Sequence, residues 1–173
     1  MRIAWLCLSV ALIAGCQPNT GRPAFAPLPE SASTEVRLTA REATRRLAEA
    51  LRADSVPVRK VLLRDGYLES SWFDAKTGRS SARRSPTGSG TVRIRAWADP
   101  ARPGSSQLAV ETSYRPMADP SLPERELERQ VPPSHAVAVK VEAVLRRLVE
   151  QFGGPPPPQA QPPASALPKA GQQ

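Results

Sequence analysis

Three side chains hold most of the nucleophilic and metal-binding chemistry open to this chain: the thiols of Cys7 and Cys16, and the imidazole of His135, its single histidine. Cys16 directly follows Ala14 and Gly15, which close an apolar run over residues 3–14 behind one basic residue, Arg2. Such a run is the hydrophobic region of a secretory signal, and small residues at its end suit a peptidase cleft. It is too short to cross a bilayer as a permanent helix, which takes about 20 residues. Cys7 leaves with the signal, so the exported globular part is held by packing alone, without disulfide, Cys nucleophile or thiolate ligand. His135 stands beside Ser134 after Pro132 and Pro133, at the entrance of a helix. Adjacency in sequence is not the spatial triad, whose members come from distant positions. No HExxH, no His or Cys pair at ligand spacing and no carboxylate cluster at metal spacing occurs. Thr87, Gly88, Ser89 and Gly90 match neither a phosphate loop nor a nucleophile elbow. No catalytic residue, metal ligand or cofactor is expected, and the chain does not read as an enzyme.

The residues Ile13, Ala14, Gly15 and Cys16 resemble the lipobox of bacterial lipoproteins, with Ile13 where Leu is usual. The resemblance implies lipid on the Cys16 thiol, cleavage before Cys16 and acylation, typically by palmitate, of the new amino group. Two or more acyl chains anchor a protein stably, whereas one binds only marginally. Gln17 is not the Asp that retains lipoproteins at the inner membrane of enteric bacteria. The resemblance therefore implies an outer-membrane anchor facing the periplasm.

The formal net charge is +8, one less without Arg2. In an exported protein this excess points to anionic lipid or an acidic envelope protein rather than nucleic acid, and the aromatic motifs of nucleic-acid modules are missing. Residues 16–35, rich in proline and without apolar periodicity, read as a tether reaching about 25 Å as a coil. Residues 154–173 cannot bury a core and read as a disordered tail. Between them lies one domain, residues 36–153.

Inside that domain the elements alternate in kind. Val36 to Leu38 suggests a short edge strand or a helix entrance. Thr39 with Glu42 makes a capping box, and Ala43, Leu47, Ala50 and Leu51 recur at helical spacing, with Glu42 one turn before Arg46. Asp65 and Gly66 suit a two-residue type I′ turn, which pairs Leu63 with Leu68 and puts Val61, Leu63, Leu68 and Trp72 on the core face. Val92, Ile94 and Ala96 alternate with Arg93, Arg95 and Trp97, the pattern of a half-buried antiparallel strand. Leu108, Val110, Thr112 and Tyr114 supply the inner face of its partner. Ser121 with Glu124 suggests a capped short helix whose charges, Glu128 among them, are mostly solvated. Val137, Val141, Val144, Leu145, Leu148 and Phe152 form the strongest helical stripe, capped by Ser134 and stopped by a left-handed Gly153.

The expected fold is α+β: an antiparallel sheet of four or five strands against two helices, with the long C-terminal helix in the sheet's concave face. This element order, with the lipobox, is similar to the helix-grip domain of BamC-type outer-membrane assembly lipoproteins. The similarity implies a binding or assembly accessory rather than an enzyme. The candidate partner surface is Lys76, Arg79, Arg83 and Arg84 of a basic loop over residues 75–90, with Arg93, Arg95 and Trp97 on the outer strand face. The competing expectation for that strand is that Trp97 folds over an edge and the arginines pair with carboxylates of neighbouring strands, such as Glu111. A second functional reading is a carrier for a lipid or other amphiphile, in a cavity lined by Leu63, Trp72, Ile94, Tyr114 and Leu148.

Overall fold

A computed structural model describes residues 20–84 and 86–153. The lipobox residues Ile13 to Cys16, the 154–173 tail and Ser85 lie outside the described residues. The strands are β1 (Ala32–Val36), β2 (Val58–Leu62), β3 (Tyr67–Ser70), β4 (Phe73–Asp74), β5 (Thr91–Pro100), β6 (Ser106–Tyr114) and β7 (Arg129–Gln130). The helices are α1 (Ala40–Ala53), α2 (Glu124–Leu127) and α3 (Ala136–Phe152). All strand pairs are antiparallel, in the order β1-β6-β5-β3-β2, with β4 adding to β5 and β7 to β6. The fold is mixed α+β, and its last helix is C-terminal.

Local chemistry accounts for the helices. Thr39 Oγ1 accepts from the Glu42 amide at 3.3 Å, and Glu42 pairs with Arg46 at 3.0 Å one turn on. Helix α1 turns Ala43, Leu47, Ala48 and Leu51 inward, and α3 buries Val137, Val141, Val144, Leu145 and Leu148. These side chains join Leu68, Ile94, Ala96, Leu108 and Val110 of the sheet in one core. Burial at about 25 cal/mol per Å² of apolar surface is what holds α3, whose β-branched run has low intrinsic helix propensity.

Three expected boundaries move. The cap of α3 is His135, whose Nδ1 accepts from the Val137 amide at 3.2 Å, not Ser134. Gly153 ends that helix at φ −86, extended rather than left-handed. Helix α2 has no side-chain cap, because the Ser121 hydroxyl bonds Asp119 instead of serving Glu124.

The β2–β3 hairpin also differs. Leu62 pairs with Tyr67 and Val61 with Leu68, so the loop is four residues, 63–66, with φ positive at Gly66 and not at Asp65. A side chain at Gly66 would put its Cβ 2.2 Å from the Ala98 carbonyl oxygen, and the Gly66 carbonyl accepts from the Ala98 amide at 2.7 Å. That close approach fixes the register from β5, a neighbour the local turn signal does not contain. The shift leaves Leu63 in the loop. Phe73, not Trp72, enters the core.

The first strand begins at Ala32, inside the stretch expected as tether, and pairs with β6. Residues 20–31 before it form a strap across the other face of the sheet. Arg22 binds Asp99 at 2.6 and 2.9 Å, Phe25 meets Trp97 edge-on at 6.3 Å, and the Leu28 amide donates to Glu111 at 3.0 Å. Both faces of the sheet are therefore covered.

Candidate functional site

Strand β5 alternates as its sequence demands, but its polar side is not wet. Arg93, Arg95 and Trp97 are exposed by only 8, 5 and 1%. Arg95 and Trp97 cannot form the outer partner surface expected of them, and Arg93 reaches only the wall of a cleft beside Trp72; the arginines pair with carboxylates, as the competing expectation has it. Arg95 Nη1 lies 3.1 Å from Glu111 and Arg95 Nη2 3.0 Å from Glu128, while Arg93 pairs with Glu128 and reaches Glu69 at 3.5 Å. Glu111 and Glu128 are themselves 0 and 1% exposed. Arg125 Nη1 closes the cluster at 2.6 Å from Glu111, and its guanidinium lies 4.4 Å from the Phe25 ring. Glu128 is thus buried, not solvated.

The charges hold one another in their ionised forms. Burial pushes the Glu128 carboxyl up, but hydrogen bonding and charge from Arg95, then Arg93, outweigh it and hold the group below its ordinary value. Burial likewise opposes the charge on Arg95, yet Glu128 and Glu111 raise its pKa above the usual arginine value. Arg93 moves the other way, because burial and repulsion from Arg95 exceed what Glu128 and Glu69 return.

The basic loop has more structure than its composition suggests. Asp74 Oδ1 accepts from the amides of Lys76 and Thr77 at 3.1 and 2.8 Å, the Asp74 amide donates to the Arg79 carbonyl at 2.9 Å, and Phe73 bridges to Ser80. The Ser81 amide then donates to the Trp72 carbonyl at 2.7 Å. These ties divide the four expected cations. Lys76 and Arg79 stay exposed on the tight turn. Arg83 and Arg84 come to the mouth of a cleft of about 440 Å³, lined also by Arg59, Arg93, Glu69, Ser71, Trp72, Ser81 and Glu124. Arg59 and Arg93 are partly neutralised by Glu69 at 3.3 and 3.5 Å. Arg83 and Arg84 are exposed, with no carboxylate in ion-pairing distance among the described residues.

Trp72 gives the cleft an aromatic wall of unusual charge. Its ring takes the guanidinium of Arg93 at 4.4 Å and that of Arg115 at 4.9 Å. Arg115 is buried, pairs with Glu124 at 3.1 Å, and leaves Nε and Nη2 without a hydrogen-bond partner among the described residues. Sequence patterning missed both Trp72 in this role and Arg115. The available signal is the Arg and Trp excess on odd positions of β5 and its neighbours, which needs a partner surface that periodicity does not reveal.

What the arrangement can do is bind, through paired guanidinium groups, a ligand that carries oxyanions. Nothing in it prepares a nucleophile. His135 caps α3 and its Nε2 lies 3.2 Å from the Ser89 carbonyl. No group of three metal-ligating side chains occurs among the described residues, and none of their helices is long and apolar enough to cross a membrane. The proposed carrier lining is not assembled: Ile94 and Leu148 lie in the core, Trp72 on the opposite side of the sheet. A gap under α3 lined by Val110, Val131 and Val141 measures about 90 Å³, against about 300–1,000 Å³ for small-molecule sites.

No protein-family model matches this chain, and no curated protein does.

Proposed function

We propose that this chain is a lipid-anchored, non-enzymatic accessory of a bacterial envelope membrane that holds an acidic partner at the arginine cleft, in the manner of a BamC-like assembly lipoprotein. The anchor is the acylated Cys16, and the membrane is the outer one, facing the periplasm. The observation that carries the reading is the loop that brings Arg83 and Arg84 beside Arg59, Arg93 and Trp72. Tying the loop backbone at Asp74, Ser80 and Ser81 before the partner arrives removes part of the ordering cost that binding otherwise meets. Exposed arginines that no described carboxylate neutralises also steer an acidic surface inward.

The test uses the lipidated full chain as bait in solubilised envelope. It should recover a protein partner with an acidic face, and Arg83→Glu with Arg84→Glu should weaken capture about tenfold or more, with larger losses at low salt. Equal capture by the double variant removes the cleft from the interface. Intact mass of the exported chain should show acyl groups, and Cys16→Ser should no longer sediment with vesicles.

A further inference from the structure

The strap over residues 20–31 has a direction, and that direction orients the cleft. Its first fastened residues lie at one end of the sheet. The Gly21 amide donates to Asp65 at 3.0 Å, Lys60 donates to the Gly21 carbonyl at 2.9 Å, and Arg22 grips Asp99 with both terminal nitrogens. From there the chain passes over Trp97 with Phe25, offers the Ala26 carbonyl to Arg125 at 2.9 Å, and leads through Leu28 into β1. Only residues 17–20 separate Cys16 from Gly21. Five peptide steps span at most about 18 Å.

The cleft lies at the other end. Arg93 is six residues back along β5 from Asp99, about 20 Å at strand rise. Trp72 and Ser81 sit further that way, since neighbouring Phe73 pairs with Val92. We infer that the strap holds the domain with its Asp65 and Asp99 end toward the membrane that carries the lipid, and that the arginine cleft, facing away, takes an acidic peptide segment of a partner protein. This rests on the lipid-anchor reading. With that end toward the membrane the cleft faces away from its headgroups, whereas exposed Arg64, on the loop beside Asp65, is placed to meet them. The cleft's own chemistry favours peptide. Ser71, Glu69 and Glu124 offer acceptors for backbone amides beside the arginines, which a peptide can use and a lipid phosphate cannot.

The experiment uses the full lipidated chain in vesicles of phosphatidylethanolamine and phosphatidylglycerol. With Cys16 acylated, a cysteine placed by Arg64→Cys or by Ala82→Cys, both exposed positions, is the single reactive thiol and takes one fluorophore. Energy transfer to an acceptor lipid should be strong from position 64 and weak from 82, and Arg22→Ala with Phe25→Ala should bring the two together. Equal transfer in the otherwise unaltered chain overturns the orientation. Failure of the unlabelled chain to float with vesicles overturns the anchor reading itself, and is seen before any label is read. In the second arm, a soluble hexaglutamate peptide should bind the anchored protein, about tenfold more weakly after Arg83→Glu and Arg84→Glu. If the peptide fails to bind while phosphatidylglycerol vesicles added in trans dock through Arg83 and Arg84, the acidic-peptide assignment is overturned.

Discussion

Arg95 donates to both carboxylate oxygens of Glu128, from Nη2 to Oε1 at 3.0 Å and from Nη1 to Oε2. The two residues are 33 positions apart, and their fork-to-fork contact joins the middle strand of the sheet to the segment between α2 and β7. Planar guanidinium and carboxylate groups make such two-point contacts strong and directional. Losing one partner strands the other charge in a place water cannot reach. Glu128→Gln keeps the shape and removes the charge, and should cost about 3–5 kcal/mol of unfolding free energy. Urea titration reads it directly, and a cost near zero would mean the buried cluster is not what locks that segment down.

The same carboxylate sets an acid limit. Because Glu128 is held below its ordinary value of 4.5 in the folded state, the stability it contributes is fully present above that pH and disappears as the pH falls through the folded value. Stability of the unaltered chain should drop on acidification below about pH 4.5, and Glu128→Gln should flatten that drop. Urea midpoints at pH 6, 4.5 and 3 compare the two slopes.

Phe25 lies under Arg95 at 5.2 Å and Arg125 at 4.4 Å and against Trp97 at 6.3 Å. Phe25→Ala should cost roughly 1–2 kcal/mol, the worth of a half-buried ring with its cation contacts. Trp97 is 1% exposed, so its emission should move to the red and its amide should exchange faster, while the core under α1 and α3 keeps its protection. Loss of the whole sheet with the strap would show that the two are not separable.

His135→Ala removes the acceptor for the Val137 amide and should lower stability by about 1 kcal/mol, as cap deletions do. His135→Asp should restore it. Capture of a partner by either variant should match the parent chain, since the imidazole stands at a helix end and not in the cleft.

Which parts of this architecture were open to reading follows from the range of the forces involved. The Thr39 cap, the stripe from Val137 to Leu148 and the strands around Ile94 and Val110 depend on neighbours a few residues away, and periodicity reveals them. The covering of the second face does not. Arg93, Arg95 and Trp97 alternate with Val92, Ile94 and Ala96 as any half-wet strand would; what dries them is Glu128, Glu111 and a strap containing Pro23 and Pro27, all distant in sequence. Proline-rich composition in turn suggests a free leader, because proline lacks the donor that marks regular structure. The strap is fastened by side chains instead. In the basic loop, composition marks all four cations alike, and only the amides of Ser81 and Asp74, bound to the Trp72 and Arg79 carbonyls, separate Arg83 and Arg84 from Lys76 and Arg79.

The order in which the strap is fastened also decides how the domain bears load. Tension on the N-terminus meets the Gly21 bonds to Asp65 and Lys60 first, then the paired Arg22 and Asp99, then the Phe25 ring, the Ala26 carbonyl and the Leu28 amide, and only afterwards the β1 ladder. Each fastening fails in turn, like stitches along a seam, and each gives up slack before the next is strained. A pull that would shear a sheet loaded all at once is spent in small yields, and the seam closes again when the pull ends.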